Sequence, residues 1–260
     1  MGDLLLPCVL AMFVWWFGTG AILYLDGLAK ATFRWSLVFF AVLAIGSLIC
    51  INGITSQMTV ASAYGAFICT IFVWAFVELS FLTGLITGPN KKGLPATADT
   101  GSKRFMSAFG ALLYHELAIL ACGMLIIYLS WGKPNQVASS TYLVLWIMRT
   151  SAKLNLFLGV RNQGIEFLPP HLKYLQTYFK KRRMNWLFPI SIIASTTVAA
   201  ALFWQAVGAQ PADTVGNVLV ATLLALALLE HWFMVLPFSS HAMWQWAVPK
   251  PKLSVSKATL

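Results

Sequence analysis

The chain has 260 residues, of which 59% are hydrophobic and only 10% charged, and its mean hydropathy is +0.75. Soluble domains carry about 25% charged residues, so this composition excludes a soluble fold and makes lipid the solvent. The net charge of +10 would suggest nucleic acid in a soluble protein. Here the basic residues lie between apolar runs, where they set topology and meet anionic lipid, and no nucleic-acid partner is expected.

Backbone groups in hydrocarbon need internal partners, so a spanning segment is a helix or part of a closed barrel. The apolar runs are long and do not alternate with period two, which selects an all-α, polytopic transmembrane bundle of about seven spans. In chain order the spans are predicted at 3–25, 35–55, 60–87, 105–130, 140–160, 187–207 and 215–236, each near or above the ~20 residues that cross a bilayer core. The first begins with Asp3 and has no Lys or Arg ahead of it, so it reads as a span and not as a cleaved signal. A short polar turn from Thr55 to Thr59 makes a tight hairpin of the second and third. The fifth is interrupted by Arg149 and Lys153.

Charge alternates along the connections. Lys30 and Arg34 follow span one; Lys91, Lys92, Lys103 and Arg104 follow span three. Arg161, Lys173, Lys180, Lys181, Arg182 and Arg183 follow span five, and Lys250, Lys252 and Lys257 lie in the tail. The intervening connections hold only Lys133. The positive-inside rule places every second connection in the cytoplasm, with the N-terminus outside and the C-terminus inside. Omitting span five would break this alternation, so it is retained.

The domain is expected to end near residue 240, with 241–260 a cytoplasmic tail, interfacial at Trp244 and Trp246 and disordered over its last ten residues. The loop 161–186 contains Pro169-Pro170, then Leu172, Leu175 and Phe179 opposite Lys173, Lys180 and Lys181. That pattern predicts an amphipathic helix over 170–182 lying on the inner leaflet. Residues 88–101 read as a mobile Gly/Pro/Lys loop. The four cysteines all fall in apolar runs without a CxxC pair and read as packing residues. Gly18 and Gly20 read as helix-packing positions.

The ionisable residues inside spans carry the most information: Glu78, His115, Glu116, Arg149, Lys153, Glu230 and His231. A charge at the bilayer centre costs about 2.5–3.5 kcal/mol, so five facing lipid would cost roughly 12–18 kcal/mol. They must face the interior or neutralise one another. Counting from the helix ends puts most of them at similar depth in the cytoplasmic half, with Arg149 nearer the middle and sharing a helix face with Lys153. Three readings stand. One is an ion-pair network that fixes helix register. A second is a ligand site, where a neutral imidazole coordinates a metal or the magnesium of a tetrapyrrole. The third is a di-metal or proton-relay catalyst, which bundles build with Glu-x-x-His spacing. The adjacent pairs His115-Glu116 and Glu230-His231 point about 100° apart on a helix and disfavour that third reading.

Several strings are familiar: FLTGLITGPN at 81–90, YHEL at 114–117, PNQV at 134–137, SAKLNLFLGVRN at 151–162 and EFLPPHL at 166–172. Together they resemble the photosynthetic complex assembly proteins of the PuhE type, over nearly the whole chain except the last ~20 residues. The resemblance implies a multi-pass protein of the inner (cytoplasmic or intracytoplasmic) membrane of a phototrophic bacterium. It implies a part in building the reaction centre and core antenna, or in matching bacteriochlorophyll supply to that assembly. Its motifs add Tyr114 and Asn155 to the polar layer. Arg161, Glu166 and His171, with Lys173 and the basic run Lys180 to Arg183, form an expected cytoplasmic face for lipid and partners. The expectation is a non-enzymatic assembly factor contacting reaction-centre or core antenna polypeptides, with pigment-synthesis enzymes as further partners and bacteriochlorophyll or a precursor as the candidate ligand. A pigment or lipid transporter and an intramembrane enzyme of tetrapyrrole metabolism are the alternatives. No metal site is expected.

Overall fold

Long apolar runs broken by polar turns give seven α-helices among the described residues: α1 (Gly2–Asp26), α2 (Lys30–Ile54), α3 (Val60–Leu82), α4 (Gly101–Ser130), α5 (Val137–Leu158), α6 (Leu187–Ala206) and α7 (Pro211–Phe233). The computed structural model describes residues 2–94, 101–237 and 240–247. Six of these helices, all but α5, are long and apolar enough to cross a membrane. The 22 residues of α5 extend about 33 Å at 1.5 Å per residue, but Arg149 and Lys153 lower its apolarity.

The helix ends follow from local chemistry. Thr59 caps α3 by accepting from the Ser62 N–H at 3.1 Å, and the Ser62 hydroxyl accepts from the Thr59 N–H at 2.9 Å. Gly84, at φ +80°, turns the chain just beyond the last turn of α3, so this helix stops five residues short of the span predicted to 87. Gly159, at φ +122°, ends α5. Asn185 Oδ1 accepts from the N–H groups of Leu187 and Phe188 at 2.9 and 3.2 Å and starts α6. Pro211 opens α7, with Asp213 in its first turn.

Two helices are central. α7 buries 61% of its most apolar stretch and α3 44%, whereas α1, α2, α4 and α6 bury 11–22%. α2 packs mainly on α3, and α1 and α6 mainly on α7. α5 touches α3, α4 and α7. The core gathers Phe67, Ile119, Ile126, Tyr142 and Leu219. The Tyr142 hydroxyl donates to the Ile119 carbonyl at 2.8 Å. The ring fits because Gly123 lies beneath it, where a Cβ would come within 2.9 Å of Cε1.

The helix ends at Asp26, Lys30, Leu82, Gly101, Leu158, Leu187 and Phe233 lie on one side of the bundle, the basic end. A second core there joins Phe81 and Ala111 to Leu172, Leu175 and Tyr178. The predicted amphipathic helix over 170–182 is a 3₁₀ helix over Pro170–Tyr178. Its buried residues recur every third position, the period of a 3₁₀ helix, so Tyr178 completes the apolar face and not Phe179. That face packs on α3 and α4 instead of on lipid. The chain then runs extended, and Lys181 forms a parallel bridge with Val160.

Residues 88–94, expected to be mobile, are packed against α4. The Asn90 side chain donates to Ser107 Oγ and Tyr178 Oη at 2.8 and 3.0 Å. Gly88 sits so close that a Cβ would fall 2.2 Å from the Gly110 carbonyl oxygen. Residues 95–100 of that loop, and 248–260 of the predicted tail, lie outside the described residues. The described part of the tail docks on α1: Trp244 Nε1 donates to the Trp16 carbonyl at 3.0 Å, and Trp16 Nε1 donates to the Met243 carbonyl at 3.1 Å.

Candidate functional site

α5 carries its two cations one turn apart, and they reach different neighbours. Arg149 Nη2 donates to Glu78 Oε2 of α3 at 2.8 Å. Lys153 Nζ donates to Glu116 Oε1 of α4 at 2.5 Å. The Glu78, Glu116 and Lys153 side chains are 12%, 22% and 18% exposed, while that of Arg149 is 40% exposed. An isolated ion in such surroundings costs several kcal/mol, which a well-placed counter-charge offsets. The least apolar helix is thus joined to two apolar neighbours by one ion pair each.

His115 lies beside this layer. Its ring is 1% exposed and stacks on Phe81, with centroids 4.4 Å apart. Nε2 is 3.8 Å from Glu78 Oε1, beyond hydrogen-bond length, and neither ring nitrogen has a hydrogen-bond partner. The His115 backbone N–H donates to the Thr87 carbonyl at 2.9 Å, so the loop after α3 is stitched to α4 at this residue.

His231 and Glu230 separate. His231 is buried; Nδ1 donates to the Ala227 carbonyl at 2.9 Å and Nε2 shares a 2.9 Å hydrogen bond with the Ser151 hydroxyl. Ser151 bonds Ser191 of α6 at 2.9 Å. Asn155, fully buried, donates to the Ser151 carbonyl and accepts from Asn185 Nδ2 at 3.0 Å. This chain of amides, hydroxyls and imidazole joins α5, α6 and α7. Glu230 faces outward and accepts from Trp15 Nε1 of α1 at 2.6 Å.

The single layer read from depth is therefore two ion pairs, a separate network of hydroxyls, amides and imidazole, and an outward carboxylate. Depth along a helix is legible from sequence; azimuth is not, and the ~100° between adjacent residues sends Glu230 and His231 to different neighbours. Tyr114 is 52% exposed and takes no part. Arg104, grouped by sequence with the loop cations, is 5% exposed; its guanidinium donates to the Phe157 carbonyl at 3.0 Å and to the Tyr178 carbonyl. It clamps α4 and α5 to the 3₁₀ helix. Trp15, Ser151 and Ser191 were not singled out by sequence, because uncharged polar residues in an apolar run carry no distinguishing signal, and Asn185 carries none at the end of a basic loop.

On the expected partner face, Arg161, Glu166, Lys173, Lys181, Arg182 and Arg183 are exposed, and Lys180 and His171 are half-buried. His171 Nε2 donates to the Leu82 carbonyl at 2.7 Å and caps α3.

The candidate tetrapyrrole does not fit the imidazoles as they stand. His115 is 1% exposed, which leaves no approach to its ring nitrogens, and both nitrogens of His231 are engaged. Two cavities, of about 430 and 280 Å³, lie at the two ends of the bundle, and neither is lined by His115 or His231. Among the described residues no three His, Cys, Asp or Glu side chains converge as a metal site.

A helical membrane bundle braced by partly buried ion pairs is the class of protein that fold and site define. The model of the family described as protein of unknown function DUF3623 matches residues 1–254, and the chain belongs to that family. It is similar to an uncharacterized 30.4 kDa protein in the puhA 5′ region of Rhodobacter capsulatus, at 39% identity over 249 residues, covering 94% of this chain and 90% of the relative. No solved structure matches.

Proposed function

We propose that the chain is a non-enzymatic assembly factor for the photosynthetic reaction centre and core antenna, resident in the inner membrane of a phototrophic bacterium. One observation carries this reading: near-full-length similarity to a protein of the puhA 5′ region, which agrees with the resemblance in strings such as SAKLNLFLGVRN. The site geometry supports a scaffold. Glu78 and Glu116 are each held by a different cation, and such pairs set helix register.

The proposed topology has seven spans, with α5 crossing through its two ion pairs. The basic end faces the cytoplasm and the N-terminus lies outside. Exposed Lys173, Lys181, Arg182 and Arg183 then offer the cytoplasmic surface for reaction-centre or antenna polypeptides and for pigment-synthesis enzymes. Deleting the gene in a pigment-making host should lower the assembled reaction centre seen by membrane absorption, and both wild-type and His115→Ala chains should restore it. Tagged protein should co-purify cross-linked to reaction-centre or antenna polypeptides. Unchanged complex levels in the deletion strain would end the assembly reading; failure of His115→Ala alone, with normal insertion, would return His115 to a ligand role.

A further inference from the structure

The 280 Å³ cavity at the basic end lies between the start of α2, the end of α3 and the 3₁₀ helix. Ligand sites start at roughly 300 Å³, so this one suits a headgroup and not a macrocycle. Lys30 and Lys91 enter it from two different segments, and both are exposed. Neither is paired with a carboxylate among the described residues, and no Asp or Glu lines the cavity. Thr87 contributes a hydroxyl, while that of Thr83 donates back to the Leu79 carbonyl at 2.7 Å. The Tyr174 hydroxyl is buried there beside Thr87, without a hydrogen bond of normal geometry, and a phenol is a protonated donor at neutral pH. Lys30 is also the first residue of α2, whose N-cap Ala29 supplies no side-chain acceptor, so the helix end adds positive potential.

From this convergence of cations and donors without a counter-charge, we infer that the cavity binds the phosphate of an anionic phospholipid headgroup. Its position favours a lipid over a free anion. Phe33 forms one wall, and α2 leaves the cavity with Trp35, Val38, Phe39 and Val42 exposed along its length, a surface for acyl chains. The inference needs only the membrane-embedded fold and is independent of the assembly role.

The test uses the full chain, delipidated in neutral detergent micelles and titrated with phosphatidylglycerol or phosphatidylcholine, with retained lipid counted by native mass spectrometry. One phosphatidylglycerol should be retained per chain where phosphatidylcholine is not. Lys30→Gln with Lys91→Gln should weaken retention about thirtyfold, about fivefold per lysine at the strength basic residues show toward anionic lipid. Lys180→Gln with Lys181→Gln, at the same end but outside the cavity, should change it less than about twofold. Lys30, Lys91 and Lys181 are exposed and Lys180 half-buried, and an unchanged melting temperature checks folding. Equal loss in the two double variants, or no preference for phosphatidylglycerol, would overturn the site. Displacement of the lipid by micromolar inorganic phosphate would overturn the lipid assignment in favour of a soluble anion.

Discussion

Lys153 and Glu116 show how a charge is tolerated inside an apolar bundle. Their 2.5 Å contact joins α5 to α4, and either alone would be an uncompensated ion of a kind that costs about 3–5 kcal/mol. Lys153→Met and Glu116→Gln should each lower the melting temperature markedly. The double variant should lose less than the sum, with a coupling of about 1–3 kcal/mol in a thermal or denaturant cycle; strict additivity would show that the pair contributes no mutual stabilisation. That these residues sit at buried depth was legible in the sequence, because Arg149 and Lys153 interrupt an apolar run one turn apart. Which acid each would take was not, since the choice depends on how α3 and α4 are rotated about their axes.

At the scale of elements, the helices were legible because hydropathy and length decide them, and predicted and observed boundaries mostly differ by a few residues. α5 alone required charge alternation to be kept. The 3₁₀ helix was misread in period: Leu172, Leu175 and Phe179 fit an α-helix, but Pro169-Pro170 leads into a three-residue repeat that buries Tyr178. Docking of the segment 240–247 was not legible, because its aromatic residues also suit an interface with lipid. Gly20 is the position that admits it, since a Cβ there would lie 2.1 Å from Trp246 Cζ2. Gly20→Val should therefore displace Trp246 and speed hydrogen exchange of residues 240–247 by at least about tenfold. Gly18→Val, which meets nothing within 4 Å, should leave that exchange unchanged.

For the whole molecule, the asymmetry of charge makes a directional statement. In a background lacking the four native cysteines, Asp213→Cys should react with a membrane-impermeant maleimide in intact spheroplasts and Lys173→Cys should not; both positions are exposed, at opposite ends. The reverse pattern would invert the proposed topology. The bundle also closes on itself, first helix against last. α2 with α3 and α6 with α7 are neighbours in sequence, but α1 rests mainly on α7, and the Trp15–Glu230 hydrogen bond spans 215 residues. A nascent chain leaving the translocon therefore exposes α1 to lipid without its principal partner until the last helix has been synthesised. Truncation before α7 should leave α1 an orphan for membrane quality control, so completion of the chain itself acts as the checkpoint for a finished bundle.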